Sequence, residues 1–386
     1  MNFVLSLPTK IIFGENTTDE VAKYTKKFSD NILLVIGKES AKKSGLFDKV
    51  IKLLSYENIK YEVLEGIKSN PTVDMVRVGI DVIRQKNIDF ILAVGGGSVI
   101  DTAKTIACGV FYDGDVWDFF IKKAHIKKAL PLGVVLTLAA AGSEMNGNAV
   151  ISNNDTQQKL AISSNLLYPK FSILDPINTL TVPLNHTLYG VVDILSHVFE
   201  QYFDKTPINE SILQDRFAEA IMKTTIETAY KLKDDLKNVN YRKIIMWCST
   251  MALNGIVGCG KFQDWASHQI EHAISAVYDI PHGLGLAIVF PAWMKYVAEE
   301  IPERFYNFGK NVWGIINKST IDTVLEGINC LENFYKELGI PTKLSEIKIT
   351  DEKFDVLASK AVEFGPIGNV KKLKKEDVIK ILKLCL

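Results

Sequence analysis

Cysteine is sparse in this chain, and it forms no pattern. Cys108, Cys248, Cys259, Cys330 and Cys385 are five in 386 residues, an odd number at wide spacings. The lack of any C-x-x-C pair argues against a zinc ribbon or a redox dithiol and fits a reducing compartment. Excess charge is missing too, because Lys plus Arg equals Asp plus Glu at 45 each. Without a basic field there is nothing to recruit nucleic acid, so a small molecule is the expected partner. No stretch approaches the ~18 apolar residues of a membrane span. The opening MNFVLSLPTKIIFG lacks the basic start and apolar run of a secretory signal, so cytoplasmic residence with no membrane partner is expected. Disorder is excluded by 47% hydrophobic and 10% aromatic residues.

The length suits two domains, at roughly 100 to 200 residues each. Short β-branched runs alternate with helix-period segments through the first half: ILLVIG at 32–37, a Lys-rich helix to about Asn58, YEVLEGI at 61–67, a helix from Val73 to Gln85, and DFILAVGG at 89–96. That alternation predicts a mostly parallel, Rossmann-like sheet flanked by helices. PLGVVLTL at 131–138 and FSILDP at 171–176 read as further buried strands. NAVISN and KLAISS, separated by NDTQQ, read as a hairpin projecting from the sheet. Beyond about Asn185 long helical patterns take over, and Pro176 and Pro183 punctuate the change. The expected division is an α/β domain over 1–180 and an all-α helical domain over 181–386.

In DFILAVGGGSVIDTAK a strand runs into Gly95, Gly96, Gly97 and Ser98 and then into a helix. Glycines let a backbone approach a pyrophosphate, and a helix N-terminus favours an anion. The spacing is not G-x-G-x-x-G, and the Lys-Ser/Thr ending of a P-loop is absent, which weighs against ATP hydrolysis. A plain strand-to-helix turn with Ser98 as cap is the bland alternative. A second turn, TLAAAGSEMNGNAV at 137–150, also follows a strand and shifts the balance toward a nucleotide.

Four of the six histidines fall between 197 and 282, and none follows. Asp193 and His197 lie four apart in a helical pattern, as do His268 and His272, so each pair shares a helix face. His282 sits in Pro-His-Gly, where a turn can bring an imidazole back. Imidazole with carboxylate suits Zn²⁺, Fe²⁺ or another first-row ion. Any single histidine is more often packed or solvated than ligating, and His125 and His186 are read that way. His268-Gln-Ile-Glu271-His272 also matches H-x-x-E-H, the inverted zinc-peptidase motif. That hydrolase reading leaves the glycine turn and the Asp193/His197 pair without a purpose.

Taken together, GGGSVID, TLAAAGSEMN, VVDILSHVFE and HQIEHAISAVYDIPHGLGLAIVFPAWMKYV resemble the iron-containing alcohol dehydrogenases, in particular their butanol dehydrogenase-like branch, over essentially the whole chain. The resemblance implies Asp193, His197, His268 and His282 as metal ligands and His272 as an unbound neighbour in a proton relay. It implies dinucleotide contacts at Asn70, Gly96, Gly97, Ser98, Asp101, Thr137, Leu138 and Lys159. The ion would be Fe²⁺, with Zn²⁺ as the alternative, acting as a Lewis acid on the oxygen of a small primary alcohol or aldehyde. Relatives with the same plan act on polyols or sugar phosphates, so the fold alone does not establish the substrate. Ala141 stands where the family often carries threonine, which removes one cofactor hydrogen bond.

A carboxylate ending the strand ILLVIG would select NAD by binding the ribose 2′-OH and repelling a 2′-phosphate. Gly37 stands there, followed by Lys38, Glu39 and Ser40. NADP(H) is therefore expected over NAD(H). A homodimer is expected from the N-terminal strand LPTKIIFG, which could pair across subunits. The remaining alternative is a protein that binds metal and nucleotide without turnover.

Overall fold

The computed structural model describes residues 2–316 and 318–386. Chain contacts divide it into one unit made of residues 6–183 and 237–250 and another made of 1–5, 184–236 and 251–386. The segment 237–250 thus belongs with the first unit, although its sequence reads as helix and it lies far beyond the expected boundary.

The first unit is built on a six-stranded sheet of β1 (Lys10–Phe13), β2 (Asn31–Gly37), β3 (Lys60–Ile67), β4 (Phe90–Gly95), β5 (Leu132–Leu136) and β8 (Phe171–Leu174), in the order β1-β8-β5-β4-β2-β3. Every pairing is parallel. β4 and β5 are buried throughout, which is why they read as unbroken apolar runs and not as an alternation. The sheet core includes Phe90 and Phe171, stacked with centroids 6.1 Å apart. Gly133 makes room for this stack, since a Cβ there would lie 2.4 Å from the Phe171 ring. Helices α1 (Leu46–Tyr56), α2 (Val73–Lys86) and α3 (Gly97–Gly109) form the crossovers.

The strand order has one functional consequence. From β2 the chain passes outward to β3 and then returns to the other side of β2 with β4, so the order reverses between β2 and β4. Ligands bind outside the carboxyl ends of the strands at such a switch point. Gly37 ends one of these two strands, and Gly96–Ser98 follows the other.

Two details differ from the sequence reading. β6 (Asn148–Asn153) and β7 (Gln158–Ser163) do form an antiparallel hairpin, but it is strapped down and does not simply project. Ser152 N–H donates to Pro71 O at 2.8 Å, and Val150 N–H donates to Asp101 Oδ2 at 2.9 Å. β1 pairs with β8 of its own chain, so one of its edges is already taken.

The second unit is helical. Its centre is α4 (Leu184–Tyr202), buried along nearly its whole length from Thr187 onward, followed by α5 (Ile212–Asp234). Helix α6 (Val239–Ala252) runs from one unit into the other. Helices α7 (Ala266–Tyr278), α8 (His282–Val297) and α9 (Thr320–Glu337) follow. Phe199, Phe203, Phe290, Trp293, Phe305 and Phe308 form its fully buried aromatic core, each worth roughly 1.5–3 kcal/mol in area removed from water. No helix among the described residues is long and apolar enough to cross a membrane.

Candidate active site

The second unit gathers the histidines as their spacing requires. Asp193, His197 and Glu200 lie on one face of α4, His268, Glu271 and His272 lie on α7, and His282 opens α8. Glycine brings α8 close enough. A Cβ at Gly283 would sit 2.2 Å from the Tyr189 carbonyl oxygen on α4, and one at Gly285 would sit 2.7 Å from the Glu271 side chain on α7. The Pro-His-Gly-Leu-Gly run is therefore a packing device that delivers His282 to both helices.

Asp193 Oδ1 lies 3.3 Å from His197 Nδ1 and 3.7 Å from His282 Nε2. The His197 and His268 rings are 4.8 Å apart, and the His268 and His282 rings 5.3 Å. Ligand atoms of Asp193, His268 and His282 all fall within 4.8 Å of one another. Among the described residues, three buried atoms of this cluster have no hydrogen-bond partner: Asp193 Oδ1, His197 Nδ1 and His268 Nε2. Leaving one such atom unsatisfied costs about 1–3 kcal/mol. The mutually close set of Asp193, His268 and His282 does not include His197, whose free Nδ1 lies beside Asp193 Oδ1, and unbonded carboxylate and imidazole atoms of this kind suit a cation. Burial, aided by His268 and His282 and opposed by Asp193, lowers the His197 pKa to about 3. The ring is therefore neutral and its lone pair is available.

Two carboxylates that the histidine spacing does not single out complete the arrangement. Glu200 accepts from His268 Nδ1 at 2.7 Å and from the His268 and Trp265 amides at 3.0 and 2.6 Å. Glu271 accepts from His282 Nδ1 and from Ser275 Oγ. Each carboxylate holds a proton on Nδ1 and so leaves Nε2 as the donor to a metal. The signal for Glu200 was its place seven residues after Asp193, on the same helix face. Glu271, His272 and His282 also cluster, but both Glu271 oxygens are already engaged, so this carboxylate is not a ligand. Nor can it face a water as the base of an H-x-x-E-H peptidase, being fully buried. His272 is half-buried, its ring 5.5 Å from that of His282. His125 and His186 do not join the cluster.

In the first unit the expected dinucleotide residues meet at the carboxyl edge of the sheet. Gly37 pairs with Ile67 and Gly95 with Leu136, which aligns the segments after β2, β3, β4 and β5. Asn70, Gly96, Gly97, Ser98, Thr137 and Leu138 are half-buried there. Lys159, buried on β7, is opposite Ser152, whose amide holds Pro71 next to Asn70. The second turn lies on the first, since a Cβ at Gly96 would be 3.1 Å from Leu138 Cβ, and one at Gly97 3.3 Å from Ala141 Cβ. None of Gly95, Gly96 and Gly97 has positive φ. These glycines answer to space and not to backbone conformation.

Asp101 uses both carboxylate oxygens inside the protein, accepting from Ser143 Oγ at 2.6 Å and from the Val150 amide. Lys104, a turn further along α3 and fully buried, donates to Ser143 Oγ at 2.8 Å, Asn146 Oδ1 at 3.1 Å and Asn148 O at 2.8 Å. Burial pulls its pKa down to about 8 against the opposing pull of Asp101 and Glu144. This network ties the glycine turn to the second turn and the hairpin.

The chain is similar to known proteins over its whole length. The profile for iron-containing alcohol dehydrogenase matches residues 8–176, and that for the Fe-containing alcohol dehydrogenase family, C-terminal, matches 187–386. The chain is 48% identical over 387 residues to the probable NADH-dependent butanol dehydrogenase 1 of Bacillus subtilis, covering 100% of both chains. It is 36% identical to the NADPH-dependent aldehyde reductase YqhD of Escherichia coli over 94% of each. The crystal structure of NADH-dependent butanol dehydrogenase A from Thermotoga maritima superposes with a TM-score of 0.95 at 39% identity, covering 100% of this chain and 98% of that one.

Proposed function

This chain belongs to the iron-containing alcohol dehydrogenase family, and from that premise we propose that it interconverts a small primary alcohol, butanol or a close analogue, and its aldehyde. A bound nicotinamide would give or take the hydride at the carbinol carbon. The observation that carries the reading is the trio of buried, unbonded atoms on Asp193, His197 and His268, with His282 Nε2 beside them. Residues 181–386 would hold the metal and 1–180 the dinucleotide.

Asp193, His197, His268 and His282 would hold Fe²⁺, with Zn²⁺ as the alternative occupant of three imidazole nitrogens and a carboxylate oxygen. When bound, the ion supplies a Lewis acid that polarises the substrate oxygen, and the nicotinamide supplies or accepts the hydride. Glu200 and Glu271 fix the ring orientations and tautomers of His268 and His282. His272 carries the proton between the substrate oxygen and solvent, supported by its partial exposure and its distance from His282. A His272→Ala enzyme with unchanged activity and pH profile would remove that role.

The Gly97 and Ser98 end of α3 would hold the pyrophosphate, and Gly96, Asn70, Thr137, Leu138 and Lys159 would hold the rest of the dinucleotide. Asp101 acts one step back, as a brace between the two turns. For the cofactor we propose NADP(H) over NAD(H). No carboxylate ends β2, and Glu65 on neighbouring β3 is paired with Lys42. The relatives from Bacillus and Thermotoga are named for NADH and the one from Escherichia for NADPH, so the support for this choice lies in this chain's own residues. A cytoplasmic homodimer is proposed on the outer edge of β1, where Phe13 is 39% exposed, with sedimentation velocity as its test.

Protein stripped by chelator and reloaded with Fe²⁺ or Zn²⁺ tests the function. Metal-dependent oxidation of reduced nicotinamide by butanal, with higher kcat/KM for NADPH than for NADH, is expected. No oxidation with either cofactor in folded, reloaded protein would overturn the activity. A preference for NADH would overturn only the cofactor choice.

A further inference from the structure

Trp265 precedes α7 with φ +67° and ψ +9°, in the left-handed region. A bulky L-residue is strained there, and such strain persists only where the surroundings over-determine it, most often at sites of function. The restraints are all in place. Its N–H donates to Glu200 Oε2 at 2.6 Å, and its indole Nε1 donates to Gln263 Oε1 at 2.9 Å. Asp264, just before it, donates its amide to Glu200 O at 2.9 Å. The Asp264 carboxylate accepts from the amides of Ala266, Asn369 and Val370 at 3.0, 2.7 and 2.6 Å. Upstream, Lys261 is buried between Asp204 and Asp215 at 3.0 and 2.6 Å.

The strained backbone sets the indole edge-on to His268, with centroids 5.0 Å apart at 63°, and 6.0 Å from His197. Those imidazoles are buried, whereas Trp265 beside them is only half-buried. The His282 side chain remains 25% exposed. His268 is thus flanked by the partly exposed His282 on one contact and by the half-buried indole on another.

We propose that Trp265 is a specificity-determining wall of the substrate pocket, limiting the girth of the aldehyde that reaches the metal-binding histidines. The inference rests on the alcohol and aldehyde reading above. It is tested with Trp265→Ala and Trp265→Phe, metal-reloaded, assayed with butanal and with benzaldehyde. The kcat/KM ratio of benzaldehyde to butanal should rise at least about tenfold in the alanine variant, and less in the phenylalanine variant. A second readout needs no turnover. Co²⁺ added to metal-free protein should quench tryptophan fluorescence in the wild type but much less in Trp265→Phe, while the Co²⁺ absorption bands appear in both. An unchanged substrate ratio, with both aldehydes losing rate equally, would overturn the proposal. So would a full quench in Trp265→Phe. If wild-type enzyme turned over neither aldehyde, the activity reading would fail, and the fluorescence arm alone would decide whether Trp265 borders the metal. Trp265→Gly, which suits the left-handed backbone, replaces the alanine variant should that one not fold.

Discussion

Two clusters of buried polar groups, one in each unit, are treated in opposite ways. In the α/β unit Lys104, Asp101 and Ser143 are joined to one another and to Asn146, the Asn148 carbonyl and the Val150 amide by hydrogen bonds. In the helical unit Asp193 Oδ1, His197 Nδ1 and His268 Nε2 are buried at comparable depth and bonded to nothing. A closed network rigidifies the scaffold under a ligand, whereas an open one is unfinished without its ligand. The difference separates residues that shape a site from residues that bind, even though both sets are charged or polar, buried and found in motifs.

The strongest challenge to this contrast is Asp193→Asn. If the open set binds the ion, the variant loses bound iron, and kcat/KM falls by about 10³-fold or more, since Lewis-acid stabilisation is worth several kcal/mol. The metal-stripped variant should unfold at no lower temperature than stripped wild type, because Asp193 Oδ1 makes no hydrogen bond there. A matching loss of stability would show that the carboxylate belongs to the scaffold. Metal analysis and calorimetry on the same preparations decide.

Glu200→Gln and Glu271→Gln probe the boundary between the two kinds of group. Each should weaken metal affinity by about 10–100-fold, measured by competition with a chelator, because the amide no longer enforces the Nδ1–H tautomer. Unaltered affinity would reduce both carboxylates to packing.

Lys104→Met tests the closed network through pH. The folded-state pKa, about 8, is below the ordinary 10.5, so the unfolded chain holds this proton more tightly. The buried ammonium therefore costs stability below about pH 8, and the cost is relieved as pH rises from 8 toward 10.5. Wild type should gain on the methionine variant by about 3 kcal/mol across that window, at about 1.4 kcal/mol for each pH unit. Paired urea titrations at neutral and alkaline pH would show it, and a difference independent of pH would contradict a buried charge. At the small end, His125→Ala should leave metal content unaltered and stability within about 0.5 kcal/mol.

Much of this was legible in the chain. The apolar runs at 32–37, 89–96 and 131–138 are the central strands because burial on both faces leaves no polar alternation to blur them. The i, i+4 spacings place Asp193 with His197 and His268 with His272 because a helix face repeats at that interval. The role of Asp101 was not legible. A motif places an acid near a phosphate cradle, but whether its oxygens face the ligand or Ser143 depends on where a loop forty residues away folds back. The partners of Glu200 and Glu271 were hidden for the same reason, since His268 and His282 lie 68 and 11 residues away.

Sequence alone determined the strand and helix periods, the parallel sheet and the gathering of histidine and carboxylate side chains on shared helix faces, because these follow from local periodicity and from residue chemistry. Tertiary structure decided which of those polar atoms were left unbonded, which carboxylate held which imidazole, and that Trp265 would be forced into a left-handed backbone beside them. These are properties of three-dimensional neighbours, and glycines such as Gly283 and Gly285 reveal their purpose only when the helices they allow to touch are in place.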